Sequence, residues 1–178
     1  MKKKILPGLG VLLLLAVAGV AWVVLVGNKR SPEATVATNH GGLDVKVVYC
    51  RPFKKERLIF GEKSAGALVP FGDYWRLGAN AATEITFAKN VVFAGKAVSA
   101  GSYRMYAVPG ATVWKVVLNS ELGQWGAREA DHSKDVLTVE VPAQTGPGLE
   151  QFTISFGDAE MIFAWDTTVV RVPLGPAT

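Results

Sequence analysis

An unbroken run of uncharged, mostly apolar residues from Ile5 to Val26 constrains this chain more than any other feature. In a helix, about 22 residues at about 1.5 Å each extend roughly 33 Å, which matches the hydrocarbon core of a bilayer. Lys2, Lys3 and Lys4 precede the run, and only Lys29 and Arg30 closely follow it. Because the more positive flank stays in the cytoplasm, the sequence predicts a single-pass anchor at residues 1–27 in the inner (cytoplasmic) membrane. The rest of the chain would then be periplasmic or otherwise extracytoplasmic.

A cleaved signal peptide is the alternative interpretation of the same run. Ala16-Val17-Ala18 has the small-x-small form of a cleavage site. Cleavage there would leave the apolar segment Val20–Val26 at the start of the mature protein. An uncleaved anchor buries that segment in lipid, so we favour contact with the bilayer through Ile5–Val26.

The net charge of +4 does not indicate nucleic-acid binding. Five of the 19 basic residues flank the apolar run, whereas all 15 acidic residues follow residue 30. The chain beyond residue 30 is therefore close to neutral, and its high pI reflects membrane topology rather than a phosphate-binding surface. A local basic group, Arg51, Lys54, Lys55 and Arg57, is either a solvated face or a contact for an acidic partner or anionic lipid.

Composition divides the remainder into a linker and one domain. Residues 28–42 are polar, contain proline and glycine, and lack periodicity, which is typical of a linker. Residues 43–178 are long enough for one domain with its own core.

The pattern of this domain is that of short β-strands. Thr83–Phe87 alternates apolar and polar residues, and further short apolar runs are separated by turn residues such as Pro109-Gly110. Asp166-Thr167 is predicted as a reversal between strands, and Ser120–Trp125 as the one helical turn. The sequence thus predicts an all-β fold, an antiparallel β-sandwich or jelly-roll-like domain preceded by a single transmembrane helix.

Cys50 is the one cysteine of the chain, which rules out an intrachain disulfide. It lies in the alternating run Leu43–Cys50, which predicts a strand, so we expect a buried and unreactive thiol.

The run Leu68-Val69-Pro70-Phe71-Gly72-Asp73-Tyr74-Trp75-Arg76-Leu77-Gly78-Ala79-Asn80 is similar to the signature of an uncharacterised bacterial family. That family is known as domain of unknown function 2911. Shorter matching pieces follow in the same order, among them Ala100–Tyr103, Gln124–Ala127 and Phe152–Phe156, and the resemblance covers about residues 43–173. The resemblance implies an exported β domain and supplies no established reaction. The family usually has an acidic residue where this chain has Ala81, and serine where it has Cys50.

No arrangement of residues predicts catalysis. The two histidines are His40, in the linker, and His132, in a charged loop, so a nucleophile would have few candidate bases. Asp131, His132 and Asp135 match no familiar metal-ligand spacing, and phosphate-binding glycine loops are absent. We therefore expect no enzyme activity, cofactor or metal.

A polar and aromatic set is the best candidate for contact with a ligand or partner: Trp75, Arg76, Asn80, Asn119 and Trp125. Aromatic faces beside arginine and amide groups suit a sugar or a planar ligand. The structural interpretation is that Trp75, Trp114, Trp125 and Trp165 fill the core, while Arg76 and Asn80 satisfy backbone groups.

Two classes of function follow. The first is a non-catalytic accessory subunit of a larger inner-membrane complex, respiratory or photosynthetic, with protein subunits of that complex as partners. The second is a tethered binding module or cryptic enzyme for a small exported ligand such as a carbohydrate. A pocket lined by Trp75, Arg76, Asn80 and Trp125 would favour the second class.

Overall fold

One long strand links the two parts of an all-β domain. The computed structural model describes residues 30–177. The strands in this range are β1 (Glu33–Thr38), β2 (Val45–Cys50), β3 (Phe60–Gly61), β4 (Val69–Pro70), β5 (Thr83–Phe87), β6 (Val91–Phe93), β7 (Lys96–Val98), β8 (Gly101–Val108), β9 (Val113–Asn119), β10 (Asp135–Phe156) and β11 (Glu160–Pro176). Short 3-10 turns lie at His40–Gly42, Lys63–Ala65 and His132–Lys134. The predicted all-β, sandwich-like fold is confirmed for the described residues.

The hydrogen-bonded strand order is β1-β2-β5-β8-β9-β10-β11-β6-β7, and each of these pairings is antiparallel. The first part of β10, Asp135–Pro142, pairs with β9, and the part from Ala143 onward pairs with β11. Register shifts between Thr145 and Thr153 mark irregularities in this second part. β3 and β4 form a separate, short parallel pair.

The core lies between two parts of the sheet. The first part runs from β1 to residues Asp135–Pro142 of β10, and the second runs from Ala143 of β10 to β7. Along β5, Thr83, Ile85 and Phe87 are buried while Glu84 and Thr86 are partly exposed, as the period of two predicts. Across the core, the Tyr49 hydroxyl accepts a hydrogen bond from the Ile154 amide at 2.9 Å. This bond joins β2 to the far part of β10, so both layers of the domain share one apolar interior.

Both faces of β8 are covered at Arg104–Ala107, where four consecutive residues are buried. Met105 and Ala107 belong to the main core, whereas Tyr106 packs with Val117 and Ala130 in a smaller cluster. Ala130 lies in the segment 120–134 that connects β9 to β10. This segment therefore covers the outer face of β8 and β9 and creates a second buried region.

Several expectations differ from the structure. β1 occupies Glu33–Thr38, within the stretch 28–42 that we expected to be a linker, and it pairs in full with β2. The predicted helical turn at Ser120–Trp125 is wrong, because that segment has no helical structure. The predicted reversal at Asp166-Thr167 is also wrong, because β11 continues through it and Asp166 takes a φ of 51° instead.

The predicted anchor at residues 1–27 lies outside the described residues. Within residues 30–177, no helix has the length and apolar character needed to cross a membrane.

Candidate functional site

Three of the five predicted contact residues, Trp75, Arg76 and Asn80, lie together in residues 74–82, the Trp75 loop. The backbone of Trp75 exchanges two hydrogen bonds of 2.8 Å with Ala107 of β8. At the other end, the Thr83 hydroxyl donates to the Leu77 carbonyl at 2.6 Å, and the Trp75 indole N–H donates to the Gly78 carbonyl at 3.2 Å. The loop is thus fixed to the sheet and to itself.

The backbone of the Trp75 loop is locally strained. Leu77 and Asn80 have φ values of 51° and 56°, in the left-handed region that non-glycine residues rarely adopt. Gly78 has φ of 153°, and a Cβ there would lie 2.7 Å from the Cys50 carbonyl oxygen. Glycine is required at this position because the loop passes so close to β2. Strain of this kind often accompanies functional sites.

A cleft of about 500 Å³ opens beside the Trp75 loop, and we call it the basic cleft. Among the described residues, its lining includes four cations and no carboxylate. The members are Arg30, Ser31, Pro52, Phe53, Lys55, Arg57, Leu68, Val69, Trp75, Arg76, Gly78, Ala79, Asn80 and Trp165. A concave site with apolar walls and a few convergent polar groups is typical of small-molecule binding.

Arg76 is the central cation of the basic cleft. Its side chain passes so close to Gly126 that a Cβ on Gly126 would lie 2.5 Å from the Arg76 Cδ. Its guanidinium donates one long hydrogen bond, 3.5 Å, to the Asn80 carbonyl. Partial burial lowers the pKa of Arg76, with the positive charge of Arg104 as a smaller contribution. The charged form of Arg76 is thus partly desolvated without an acidic partner in the described chain.

A tight turn also contributes to the lining of the cleft. Lys55 and Glu56 both have left-handed backbone, with φ of 50° and 58°. The Arg57 guanidinium donates to the carbonyls of Lys54 and Phe53, so it closes the turn while lining the cleft. Two further members of the predicted basic group are also used internally: Lys54 pairs with Asp166 at 2.6 Å, and Arg51 bonds to β10.

Three of the four tryptophans that the structural interpretation places in the core are buried, and the fourth is exposed. Trp75, Trp114 and Trp165 are buried, and Trp75 stacks on Trp165 with ring centroids 5.9 Å apart. Trp125 is 52% exposed, so its assignment to the core is wrong. Its backbone pairs with Ala81, and both residues border a different hollow. Trp75 therefore forms the floor of the cleft from within the core, and Trp125 does not contribute to it.

Asn119 also lies away from the cleft, at the end of β9. Its side-chain amide donates to the Asp131 carbonyl and to the Asp135 carboxylate, each at 2.8 Å. Its own oxygen accepts the Glu121 amide at 2.8 Å. Asn119 is fully buried, so these bonds give it a role in fixing the segment 120–134.

Asn119 is part of a larger buried charge cluster, which we define as Arg104, Tyr106, Asn119, Glu121 and Asp135. The Arg104 guanidinium is fully buried and donates to Glu121 at 3.2 Å, to the Arg128 carbonyl at 2.6 Å and to the Tyr74 hydroxyl. The Tyr106 hydroxyl donates to Asp135 at 2.8 Å. Burial and the neighbouring Asp135 carboxylate raise the pKa of Tyr106, so its phenol stays neutral.

His132 borders this cluster at the surface. Its Nδ1 lies 2.8 Å from the Tyr106 hydroxyl and 3.3 Å from Asp135, and its Nε2 lies 3.2 Å from Glu129. Among residues 30–177, no group of three or more His, Cys, Asp or Glu side chains has a geometry that could hold a metal ion. Cys50 is buried, as predicted, and burial raises the pKa of its thiol.

A known protein family matches most of this chain. The family described as "Protein of unknown function (DUF2911)" matches residues 31–174, which include every strand from β1 to β10 and most of β11. The chain belongs to this family. No curated protein and no solved structure shows a significant match to the chain.

The DUF2911 match begins 12 residues before the domain boundary at residue 43 that the resemblance suggested, which agrees with β1 starting at Glu33. The acidic residue that the resemblance leads us to expect at Ala81 would lie beside the hollow bordered by Trp125, rather than in the basic cleft.

Sequence reasoning identified the Trp75 loop but not the buried charge cluster of this DUF2911 domain. Arg104 and Tyr106 alternate with Tyr103 and Met105 in β8, so their positions predict an exposed strand face. The segment 120–134 covers that face. One local feature could have indicated the cluster: Asn119 and Glu121 lie at the end of an apolar strand. Burying an unpaired polar group there costs free energy, so partners for these side chains are expected.

Proposed function

We propose that this DUF2911 chain is a membrane-tethered, extracytoplasmic binding module, anchored by Ile5–Val26, for a small exported ligand. The observation that carries the proposal is the basic cleft of about 500 Å³, built around Trp75, Arg76 and Asn80. Three of the residues that we selected from sequence converge on this one concavity.

The construction of the cleft supports binding over a purely structural role. The Asn80 side chain donates to the Ser31 carbonyl at 3.3 Å, and its carbonyl accepts the Gly126 amide at 2.9 Å. These bonds fix Asn80, a lining residue of the cleft, to Ser31 and to Gly126 before any ligand arrives. Preorganisation of this kind reduces the entropy cost of binding.

A thermal-shift screen tests the proposal. The full chain in a non-ionic detergent is screened against sugars, organic acids, nucleosides and phosphate esters. A hit should raise the melting temperature of the wild type, and the effect should be lost in Arg76→Ala and in Asn80→Ala. Lys89→Gln changes an exposed residue in the turn after β5 and is the matched control. Hits that are unaffected by both cleft variants would count against the proposal.

A second candidate function is that of a non-catalytic accessory subunit of an inner-membrane complex, respiratory or photosynthetic. The observation that favours it is an exposed apolar pair on the segment 120–134, where Leu122 and Trp125 are 41% and 52% exposed. Exposed tryptophan is enriched at protein–protein contacts.

Extraction of native membranes in mild detergent, followed by size separation and mass spectrometry, tests this second candidate. An accessory subunit should migrate with a large complex in a fixed ratio. The double variant Leu122→Ser, Trp125→Ser should release it, whereas Leu58→Ser, at another exposed apolar position, should not. Migration as a free monomer or small oligomer would contradict this candidate.

A further inference from the structure

The charges of the basic cleft are unbalanced, and this imbalance identifies the class of ligand. Arg30, Lys55, Arg57 and Arg76 line it, and no described Asp or Glu does. The described chain beyond residue 30 is close to neutral, so the concentration of cations here is local. A concave, partly dry wall of one sign raises the local concentration of ions of the opposite sign.

Arg76 is the one partly buried cation among the four that line the cleft. Arg104 pairs with Glu121 and Lys54 pairs with Asp166, while the partly buried Arg51 donates to the Phe152 carbonyl at 3.1 Å and to the Thr153 hydroxyl at 2.8 Å. Within residues 30–177, no ion pair is formed by Arg76. Its one hydrogen bond, to the Asn80 carbonyl, is 3.5 Å long. A partly desolvated guanidinium with free donors is suited to bidentate binding of an oxyanion.

Apolar side chains also line the cleft. Phe53 is half-buried and Leu68 is 44% exposed, and both line the cleft together with the buried Val69. A simple inorganic anion would leave these side chains in contact with water. A ligand with both a charged and an apolar part would cover them and gain about 25 cal/mol for each Å² of apolar surface removed from water.

We infer that the basic cleft binds a small organic anion, whose oxyanion group lies against Arg76 and Lys55 and whose apolar part lies against Phe53 and Leu68. This inference rests on the proposed binding function and specifies its ligand class. It also argues against a neutral carbohydrate, which would leave the charge of Arg76 uncompensated.

An organic anion of this class could come from a lipid headgroup or from a soluble molecule. Arg30 and Ser31 line the cleft and follow Val26, the end of the apolar run, by only four and five residues. Four extended residues span at most about 14 Å. On the proposed anchoring, the cleft therefore opens close to the bilayer surface, where the headgroup of an anionic lipid or a soluble organic anion would reach it.

A matched pair of probes tests the ligand class. The full chain in a non-ionic detergent is titrated by calorimetry with phenyl phosphate and with the neutral benzyl alcohol. We expect phenyl phosphate to bind at least about tenfold more tightly, since hydrogen bonds to charged groups are the strong ones. Arg76→Gln should weaken phenyl phosphate about tenfold, Lys55→Gln less, and the control Lys89→Gln less than about twofold.

The possible failures are distinguishable. If both probes bind with equal affinity and Asn80→Ala weakens both, the binding module stands and the anionic class is overturned. If phenyl phosphate binds but Arg76→Gln and Lys55→Gln leave its affinity unchanged, the cleft is not its site and the inference is overturned. If neither probe binds the folded wild type, the inference is likewise overturned, and the proposed function then depends on the thermal-shift screen.

The source of the anion is resolved by the lipids that copurify with the chain. If the ligand is a lipid headgroup, anionic phospholipid should be enriched with the wild type and with Lys89→Gln, and reduced in Arg76→Gln. Equal lipid content in all three, together with Arg76-dependent binding of phenyl phosphate, identifies a soluble anion.

Discussion

Two arginines of this domain, Arg104 and Arg76, differ in how their charge is balanced. Arg104 is fully buried and bonds to Glu121, Tyr74 and the Arg128 carbonyl. Arg76 is partly buried, contacts one carbonyl at 3.5 Å and lines an open cleft. The fold supplies acidic and carbonyl partners for Arg104, whereas Arg76 forms no ion pair within residues 30–177. The difference separates a cation that stabilises the domain from one that is available for a ligand.

The largest expected effect comes from replacing Arg104, the arginine whose charge is paired with Glu121. Arg104→Gln would leave the Glu121 carboxylate, which is only 8% exposed, without its buried partner. Removing one member of a buried ion pair typically costs about 3 kcal/mol. We expect a loss of this size in the free energy of unfolding, measured on the full chain by urea titration and tryptophan fluorescence. A loss below about 1 kcal/mol would show that Arg128 and Lys134 hold Glu121 without Arg104.

The Trp75 loop can be broken through its backbone without altering a charge. In Gly78→Ala, the new Cβ would lie 2.7 Å from the Cys50 carbonyl, at a φ that alanine rarely adopts. We expect a cost of about 2 kcal/mol and weaker binding of phenyl phosphate, because Arg76 and Asn80 would move. Gly148→Ala, where the Cβ meets no atom within 4 Å, is the control and should change stability by less than about 0.5 kcal/mol. Equal losses in the two variants would contradict the tight approach to β2.

Replacing Arg76, the one of these two arginines that forms no ion pair within residues 30–177, should not lower the free energy of unfolding as replacing Arg104 does. Arg76→Gln removes a partly desolvated charge and only one long hydrogen bond. We expect the free energy of unfolding to stay within about 0.5 kcal/mol of the wild type or to rise, because the cost of burying the charge disappears. Urea titration of Arg76→Gln beside Arg104→Gln makes the comparison direct. A loss above about 1.5 kcal/mol for Arg76→Gln would show instead that Arg76 has a structural role.

The same comparison shows what local sequence can reveal. Period-two alternation predicts strands such as β5 correctly, because each strand has one face in the core. Trp75, Arg76 and Asn80 were grouped correctly because they are neighbours in sequence. Asn119 and Trp125 were grouped with them on chemistry alone, and the fold places both elsewhere, since no local pattern states which loops meet.

The buried charge cluster was missed for a related reason. Arg104 has the periodicity of an exposed strand residue, and only the segment 120–134, which returns over β8, makes it buried. β1 was missed because its alternation of small and polar residues, Glu33-Ala34-Thr35-Val36-Ala37-Thr38, resembles a linker in composition. Its stability depends on pairing with β2 rather than on its own apolar content.

The surface of the charge cluster supplies the smallest predicted effect. Both ring nitrogens of His132 face oxygen atoms that accept hydrogen bonds: Nε2 faces Glu129, and Nδ1 faces Asp135 and the Tyr106 hydroxyl. A neutral imidazole has only one N–H, so only the protonated ring can donate on both sides. Hydrogen bonding to Glu129, opposed by slight desolvation and reinforced by Asp135, accordingly raises the pKa of His132 above its ordinary 6.5.

Because the pKa of His132 is higher in the folded than in the unfolded chain, the proton stabilises the fold below about pH 6.5, and this contribution is lost as the pH rises through the raised value. The His132 side chain is 56% exposed, so solvent screening keeps the effect below about 0.5 kcal/mol. We expect the wild type to melt about 1 °C higher than His132→Gln at pH 5.5, and the gap to close at pH 8.5. The variant His40→Gln, measured at the same two pH values, controls for the other histidine. A gap that widens at pH 8.5 would show that His132 contributes to stability as a neutral ring. His132 would then not be a charge that the fold pairs with carboxylates.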